Sequence, residues 1–287
     1  MIDTNTEVID PPKAITQANP FAERAIQEDL KPRKASLLST ITTKKRFRPV
    51  FFCLYGPPGV GKSTFGASTD SPIFIPTERG LDHITTDKFP TPKTFIEFYN
   101  QLAVLDKEDH PYKTIIIDTA DALELLIWER VCAEGKVKSM EEYSAPGNPS
   151  GSYGKGYVRA REIWTGVLRQ LTDMSERFNI ILLAHSHIRS TPDPILGTYD
   201  SWEIKVHAKS AEIIKQMVDM ILFVQIEMTL AKDSPKAKKG RGIIGEDRIM
   251  RTAPGTGYEA KNRFQLENPM EFSWEALEAG INKFYNR

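Results

Sequence analysis

The chain has 287 residues, 40% of them hydrophobic and 26% charged, and its formal net charge is zero. These proportions are ordinary for a globular protein, and a neutral chain has no global field that would attract a polyanion. The two cysteines lack metal-ligand spacing, no apolar run approaches 18 residues, and the N-terminus MIDTNTEVIDPPK has no signal-peptide pattern. We therefore expect no cysteine metal centre, no membrane span and no secretion, and predict a cytoplasmic location.

The first part of the chain differs in composition from the rest. Residues 1 to about 30 are polar, contain prolines and show little periodicity, and a basic stretch between 31 and 48 follows them. A segment that cannot bury much apolar surface does not order by itself. We predict a flexible N-terminal arm over residues 1–46 and a single domain over residues 47–287.

From residue 50 onward, short apolar runs alternate with helical patterns. The apolar runs predict strands at 50–55, 72–76, 114–118, 179–185 and 220–226. The helical patterns lie near 63–69, 93–105, 119–133, 156–178 and 207–218. Strands that are apolar on both sides and alternate with helices indicate an α/β fold, with a mostly parallel sheet and helices on both faces. Strand patterns at 247–252 and 258–264, followed by a helical pattern at 273–287, add an antiparallel C-terminal extension.

The segment YGPPGVGKST follows the first predicted strand and matches the phosphate-loop pattern, in which Gly-Lys-Ser follows a first glycine after four residues. Backbone N–H groups of such a loop converge on phosphate oxygens, Lys62 faces the β- and γ-phosphates, and the Ser63 hydroxyl is placed to hold Mg²⁺. The sequence therefore predicts binding of ATP or GTP together with Mg²⁺. The predicted nucleotide-binding residues are Gly56, Pro57, Pro58, Gly59, Val60, Gly61, Lys62, Ser63 and Thr64.

Two acidic residues follow later predicted strands. Asp118 ends the third predicted strand and is the expected partner of Ser63 in orienting the metal. The next residue is Thr119 and not a second carboxylate, so the base that activates water must lie elsewhere. Glu78 follows the second predicted strand, and it should lie beside Asp118 because ligand sites form at the carboxyl ends of parallel strands. We predict that Glu78 is the catalytic base.

Two histidines, His185 and His187, lie at the end of the fourth predicted strand. A polar group at that place can contact the γ-phosphate or Glu78 and transmit the nucleotide state to the segment beyond. Each histidine is a candidate for this sensor, and a purely structural role is the alternative for each.

In chain order, the phosphate loop, the Glu of TERGLD, the Asp that follows III and the polar segment HSHIR resemble the core of RecA-type recombinases. Within that group, the sequence is similar to phage ATP-binding proteins of the Sak type over about residues 48–266. The resemblance implies a RecA-like phosphate-loop ATPase that binds single-stranded DNA and promotes annealing or strand exchange in phage recombination. It also implies a homo-oligomer, a ring or a filament, with the nucleotide between subunits, and a single-strand-binding protein as a candidate partner. The sensor position, which is glutamine in the bacterial recombinases, is histidine here.

The same resemblance assigns a role to the segment RTAPGTGYEAKNRF. Lys261 and Arg263 match the Lys-x-Arg pair of RecA-like hexameric motors, which implies that they reach the γ-phosphate of a neighbouring subunit. The alternation of a strand would place both side chains on one face. A pair of solvated cations is the alternative interpretation.

The resemblance also implies that two segments contact DNA. The first, at 144–161, is rich in Gly and Ser and contains aromatic and basic side chains, a combination that suits base stacking and phosphate contact. The second, at 186–209, is predicted as a long loop. A surface lid without a DNA role is the alternative, and a third basic stretch at 232–242 is equally well explained as a solvated hairpin tip. The predicted DNA-binding residues are Tyr153, Lys155, Tyr157, Arg159, Arg189, Tyr199, Trp202 and Lys205.

Other functions use the same phosphate loop. A helicase or helicase-loading ATPase would unwind a forked duplex, and a nucleotide-gated scaffold would use slow turnover only to switch assembly. A small-molecule kinase would need an acceptor pocket and an arginine-rich lid. A GTPase would carry an Asn-Lys-x-Asp motif, and AKNR at 260–263 is not one. The sequence favours an ATPase that acts on single-stranded DNA, and it does not separate annealing from strand exchange.

Overall fold

The computed structural model describes residues 37–145, 154–195, 197–231 and 241–287. The chain divides into two compact units, Met1–Lys45 and Arg46–Arg287. In the first unit the described part contains a short 3₁₀ helix, Leu37–Thr40. Most of the predicted arm over 1–46 lies outside the described residues, as do residues 232–240 of the third basic stretch, so both remain predictions.

Among the described residues, nine strands form one sheet in the second unit. They are β1 (Phe51–Gly56), β2 (Pro72–Pro76), β3 (Asp87–Lys88), β4 (Thr114–Asp118), β5 (Asn179–Asp193), β6 (Gly197–Ile204), β7 (Met220–Ala231), β8 (Arg241–Arg251) and β9 (Met270–Glu271). Their spatial order is β3-β2-β4-β5-β1-β7-β8-β9, and β6 pairs with β5 outside this row. The pairs from β3 to β7 along the row are parallel, whereas β7–β8 and β8–β9 are antiparallel. The predicted fold class is confirmed.

Seven α-helices lie in the described part of this unit, and a second 3₁₀ helix spans Leu81–His83. The α-helices are α1 (Lys62–Ala67), α2 (Phe95–Lys107), α3 (Ala120–Gly135), α4 (Met140–Ser144), α5 (Lys155–Met174), α6 (Ala208–Met217) and α7 (Trp274–Tyr285). Thr94, Thr119 and Ser273 begin α2, α3 and α7 by accepting a hydrogen bond from a first-turn backbone N–H. No helix in the described ranges is long and apolar enough to cross a membrane.

Helices cover both faces of the sheet, and the side chains of β1 alternate between the two cores that result. Phe51, Cys53 and Tyr55 belong to the core formed with α2, α3, α5 and α6, whereas Phe52 and Leu54 belong to the core formed with α1 and α7. All five side chains are buried. Full burial of a large apolar side chain contributes about 1.5–3 kcal/mol, so the strand that precedes the phosphate loop is held firmly from both sides.

The strand order creates a crevice at the end of β1. This strand lies between β5 and β7, and the chain continues from it to β2 on one side of the sheet and later to β7 on the other. In parallel sheets, ligands bind outside the carboxyl ends of strands where the order reverses in this way. The ends of β1, β2 and β4, together with the point where β5 leaves the parallel sheet, form the carboxyl edge.

The prediction of a long loop at 186–209 was wrong. Residues Ser186–Asp193 continue β5 beyond the parallel sheet and pair antiparallel with β6, which gives a long β5–β6 hairpin. Pro192 and Pro194 lie at the far end of this hairpin, where a missing backbone donor costs little. The segment therefore projects from the carboxyl edge as regular structure.

The prediction of a strand at 258–264 was also wrong. β8 pairs with β7 only from Phe223 onward, which leaves the edge of β7 open at Ile221. Lys261 exchanges both backbone hydrogen bonds with Ile221, at 2.8 and 2.9 Å, and Tyr258 makes isolated bridges with Trp202 of β6 and with Gly255. The open edge of β7 has room for one residue pair only, which is too short for a β-ladder. Residues 258–264 are therefore irregular and contact the sheet at separate points.

Candidate nucleotide-binding site

The register of the central strands brings the predicted catalytic residues to the carboxyl edge. β1 pairs with β5 so that Gly56 lies beside His185, and β2 pairs with β4 so that Pro76 lies beside Asp118. Glu78 lies two residues beyond β2, and its backbone N–H donates to the carbonyl oxygen of Asp118 at 3.3 Å. Glu78, Asp118 and His185 therefore lie near the end of the strand that leads into the phosphate loop, as the order of strands predicted.

The phosphate loop has the backbone that its glycines permit. Gly59 and Gly61 have φ angles of 78° and 97°, in the left-handed region where a side chain would be strained. The buried Lys62 ammonium donates to the carbonyl oxygens of Gly56 at 3.0 Å and Pro57 at 3.1 Å. Burial lowers the pKa of Lys62, and the neighbouring carboxylates oppose this effect. An ammonium held against the loop in this way is placed to contact phosphate oxygens.

Ser63 and Asp118 form the predicted metal pair. The Ser63 hydroxyl donates to Asp118 Oδ2 at 2.7 Å. Burial raises the pKa of Asp118, and the hydrogen bond from Ser63 and the charge of Lys62 act against it. A hydroxyl and a buried carboxylate at this distance offer the hard oxygen ligands that Mg²⁺ prefers, and a divalent cation would favour the ionised carboxylate. The residues fit a magnesium site.

Glu78 has the properties of a general base. Its side chain is 37% exposed, and burial raises its pKa while the charge of His185 acts in the opposite direction. A carboxylate with a raised pKa is a better base at neutral pH. Thr77 fixes the backbone beside it, because its hydroxyl donates to the Thr119 carbonyl oxygen and its N–H to that of Asp118, both at 2.7 Å. The ends of β2 and β4 therefore hold Glu78 next to the metal pair.

Asp121, in the first turn of α3, is a site residue that the sequence analysis missed. Its Oδ2 lies 2.9 Å from Nδ1 of His185, and its Oδ1 accepts the backbone N–H of His185 at 3.0 Å. Burial raises the pKa of Asp121, but the hydrogen bonds from His185 outweigh this and leave the pKa below its ordinary value. The ionised carboxylate keeps a proton on Nδ1 and fixes the orientation of the ring. An acidic residue one helical turn after Asp118 was the available signal.

The other ring nitrogen of His185 faces the predicted base. Its Nε2 lies 3.8 Å from Oε1 of Glu78, and ligand atoms of Glu78, Asp121 and His185 all lie within 4.8 Å of one another. Since Asp121 occupies Nδ1, the imidazole presents Nε2 toward Glu78. The three side chains therefore form one contiguous cluster beside Asp118 at the carboxyl edge.

The structure separates the two candidate sensors. His185 faces Glu78, whereas His187 lies two residues further along β5, where it pairs with Glu203 of β6. The geometry favours His185 as the sensor and places His187 in the β5–β6 hairpin.

Lys261 and Arg263 lie near the amino ends of the parallel strands, at the amino edge of the sheet. The Arg263 guanidinium lies 3.2 Å from Asp219, which directly precedes β7. The Lys261 ammonium donates to two backbone carbonyl oxygens at the end of α6, at 2.6 and 2.7 Å. The length of β1 lies between this edge and the phosphate loop. At a rise of about 3.3 Å per residue, that length is roughly 15 Å. Neither cation is placed to contact a phosphate bound by its own chain.

The predicted DNA-binding residues of the first segment have different surroundings. Tyr153 lies outside the described residues. Lys155 is exposed at the start of α5. Tyr157 stacks on His207 with ring centroids 4.5 Å apart, and Arg159 forms ion pairs with glutamates of α3 and α5. DNA would have to compete with these contacts for Tyr157 and Arg159.

The predicted residues of the second segment lie on or next to the β5–β6 hairpin. Arg189 is half exposed and lies 3.5 Å from a carboxylate of β6. Tyr199 lies on β6, and the exposed Lys205 follows that strand directly. Trp202 instead stacks on Phe223 of β7, with ring centroids 6.2 Å apart, and is partly buried against the core. The hairpin thus presents cations, and the DNA role of all four residues remains a prediction.

Comparisons with known proteins agree with the phosphate loop. The sequence model of a family described as an AAA domain matches residues 48–264, which is most of the chain. The SPbeta prophage-derived uncharacterized protein YorG of Bacillus subtilis (strain 168) is 25% identical over 137 residues. That similarity covers 46% of this chain and 40% of the relative, so the chain spans less than half the length of that protein. Both matches are similarities to this chain, and the first includes every residue of the site described above.

The first prediction concerns Lys62. Lys62→Ala should weaken nucleotide binding at least about 100-fold, because it removes two or more charge-assisted hydrogen bonds to phosphate, each worth about 1.5–3 kcal/mol. Calorimetric titration of the folded variant with ATP measures this change. Lys113→Ala is the control, since Lys113 forms an exposed ion pair at the amino edge and should keep wild-type affinity. Unchanged affinity in Lys62→Ala would contradict the phosphate-loop assignment.

The second prediction concerns Asp121. Asp121→Asn keeps the size of the side chain but removes the charge that holds the Nδ1 proton of His185. We expect turnover to fall about 10- to 100-fold, the equivalent of one charged hydrogen bond, with little change in nucleotide affinity. Steady-state kcat and a separate binding titration distinguish the two effects.

A double-mutant cycle tests whether Asp121 acts through His185. His185→Ala should lower turnover by a similar factor, and adding Asp121→Asn to it should cause little further reduction. Fully additive effects would show that Asp121 acts independently. Asp106→Asn, on α2, removes a carboxylate outside the site that pairs with Arg177 and serves as the control.

Proposed function

Because the chain belongs to the AAA-domain family and is thereby a nucleoside triphosphatase, we propose that it is a Mg²⁺-dependent ATPase coupled to single-stranded DNA. In this proposal it works as a homo-oligomer, a ring or a filament, that promotes annealing or strand exchange in phage recombination. A single-strand-binding protein is a candidate partner. The geometry of the carboxyl edge supports the ATPase, the course of β5 supports the coupling to DNA, and the prophage-derived relative supports the phage setting.

The observation that carries the proposal is the course of β5. It is one uninterrupted strand, Asn179–Asp193, that pairs first with β1 and β4 and then with β6. His185 lies where the strand leaves the parallel sheet, and there it contacts Asp121 and faces Glu78. Arg189 lies four residues further on, on the exposed hairpin. A displacement of His185 caused by γ-phosphate charge would travel along the strand to the hairpin, and DNA bound there would bias His185 in return.

The side chains of the site divide the chemistry of hydrolysis among them. Glu78 accepts the proton of the attacking water, and His185 keeps its Nε2 toward that carboxylate. Lys62 neutralises charge on the β- and γ-phosphates. Mg²⁺, when bound by Ser63 and Asp118, supplies further charge stabilisation to the transferred phosphoryl group.

Arg263 fits a role in the site of a neighbouring subunit. It lies at the amino edge, too far from its own phosphate loop, and its side chain is 52% exposed. Its partner Asp219 is buried and is also bound by Arg48 at 2.7 Å, so Asp219 stays paired when Arg263 turns away. The contacts of Lys261 with backbone carbonyl oxygens hold the segment that presents Arg263. In the proposal, Arg263 completes the partner's site as an arginine finger, a role worth about 10³–10⁵ in rate.

Two other functions remain as outcomes of a single set of measurements. ATP turnover is measured with and without single-stranded DNA, next to assays of annealing and of fork unwinding. Stimulation by DNA together with annealing or strand exchange supports the proposal. Unwinding of a fork would identify a helicase, and slow turnover that ignores DNA would identify a nucleotide-gated scaffold.

The third prediction concerns the β5–β6 hairpin. The double variant Arg189→Ala, Lys205→Ala should bind single-stranded DNA more weakly. The slope of log affinity against log salt should flatten by roughly 0.7 for each phosphate that the variant no longer neutralises. Its affinity for ATP without DNA should stay near the wild-type value, because Arg189 lies out on the hairpin and the side chain of Lys205 is exposed to solvent.

Lys113→Ala again provides the control for the hairpin variant. It removes an exposed cation from the opposite edge of the sheet and should leave the salt dependence unchanged. If the hairpin variant keeps the wild-type DNA affinity and the wild-type slope of log affinity against log salt, the hairpin is not part of the DNA site.

The fourth prediction concerns Arg263 and is tested by mixing subunits. Arg263→Ala and Glu78→Gln should each be inactive, since every interface lacks one part of the site. In an equal random mixture, about a quarter of head-to-tail interfaces combine an intact Glu78 with an intact Arg263. Partial recovery of turnover is therefore expected, and its absence in shown co-assemblies would refute the role of Arg263 in trans.

A further inference from the structure

A second cleft opens beside the phosphate loop, between α1, the end of β8 and the segment that leads from β9 into α7. Its volume is about 350 Å³, within the range of about 300–1,000 Å³ that small-molecule pockets occupy. β8 and Asp118 lie on opposite sides of β1 in the strand order. The cleft is therefore separate from the metal pair and the predicted base.

The direction of α1 determines which end of a bound triphosphate meets this cleft. Ser63 points toward Asp118, which marks the side of the metal and the terminal phosphate. Thr64, the next residue, is exposed and lines the cleft, as does Ser68 one turn later. Successive helical residues point about 100° apart, so these side chains face away from Asp118. A triphosphate that has its γ end at Asp118 and runs along the start of α1 would reach the cleft at Thr64.

Two side chains give the cleft a surface suited to a flat ring. Phe272 stacks on Phe65 of α1, with ring centroids 5.0 Å apart and planes within 5°. A Cβ placed on Gly61 would lie 3.7 Å from Phe272 Cε1 and 3.9 Å from the guanidinium carbon of Arg248. Phe272 and Arg248 thus lie directly against the phosphate loop. Aromatic rings and guanidinium planes are the groups on which nucleobases stack.

The charges of the cleft argue against a second phosphate site. Among the described residues that line it are three carboxylates, Asp247, Glu271 and Glu275, and one cation, Arg248. Three carboxylates repel an anion, but they can accept hydrogen bonds from hydroxyl and amino groups. Arg248 is exposed and has no ion pair with any residue that the structure describes. These charges suit the uncharged half of a nucleotide.

We propose that this cleft, the nucleoside cleft, binds the sugar and base of the triphosphate whose phosphates lie on the loop, with the base stacked against Phe272 and Arg248. The proposal rests on the proposed function, because it needs a nucleotide on the phosphate loop. It adds the side chains that distinguish a nucleotide from a bare polyphosphate. The segment that leads from β9 into α7, for which the sequence analysis named no motif, thereby becomes part of the substrate site.

Binding at the nucleoside cleft is distinguished from binding at the phosphate loop by comparing two ligands. The full-length protein is titrated by calorimetry with ATP and with inorganic tripolyphosphate, both with Mg²⁺. Phe272→Leu and Arg248→Ala should each weaken ATP binding by about tenfold, the equivalent of one base-stacking interaction. Binding of tripolyphosphate should stay within about twofold of the wild type, because the loop is untouched.

The controls keep each outcome decisive. Arg251→Ala removes an arginine of the same strand that lies over Tyr258, outside the cleft, and should bind both ligands like the wild type. Phe272→Leu preserves apolar packing on Phe65, and Arg248 is exposed, so both variants should fold, which thermal unfolding checks. Wild-type ATP affinity in both variants, or an equal reduction for both ligands, would overturn the nucleoside cleft. Failure of the wild type to bind either ligand would instead overturn the phosphate-loop function.

Discussion

The register of four parallel strands is the constraint on which the site depends. β2, β4, β5 and β1 lie side by side, and their pairing places Pro76 beside Asp118 and Gly56 beside His185. A slip by one residue would turn every following side chain to the other face of the sheet. The two apolar cores prevent such a slip, because each strand is buried on both faces and a shift would move its side chains into the wrong core.

Charge balance explains why the site calls for a cation. The negative charges of Glu78, Asp118 and Asp121 each raise the pKa of Lys62. Burial raises the pKa of both Glu78 and Asp118. One buried ammonium does not offset three carboxylates, and a triphosphate would add further negative charge. The hydroxyl of Ser63 beside Asp118 offers the place where Mg²⁺ can correct this balance. The two hydrogen bonds from His185 keep Asp121 ionised, and Asp121 in turn holds the ring toward Glu78.

Much of this arrangement could be predicted because its signals are local. The phosphate loop is contiguous, and the strands that precede Glu78 and Asp118 are apolar on both faces, so chain order alone placed both carboxylates at one edge. Asp121 was missed because its function comes from contact with His185, 64 residues away. The hairpin after His185 was missed because its two strands pair with each other beyond the parallel sheet, and no local pattern shows that β5 continues past the sheet. The strand predicted at 258–264 does not form, because β8 occupies the edge of β7 from Phe223 onward and leaves room there for one pair only. The sequence pattern does not show how much of that edge β8 covers.

The sequence by itself determined the parallel α/β fold, the phosphate loop and the pairing of Ser63 with Asp118, since each follows from residues that are close in the chain or from the rule for strand ends. The tertiary structure alone decided which histidine faces Glu78, where Arg263 lies, and that Arg248 and Phe272 meet the phosphate loop. Each of these contacts joins segments far apart in the chain. Their distances are set by strand order and by the packing of α1 and α7 on one face of the sheet, which periodicity does not encode.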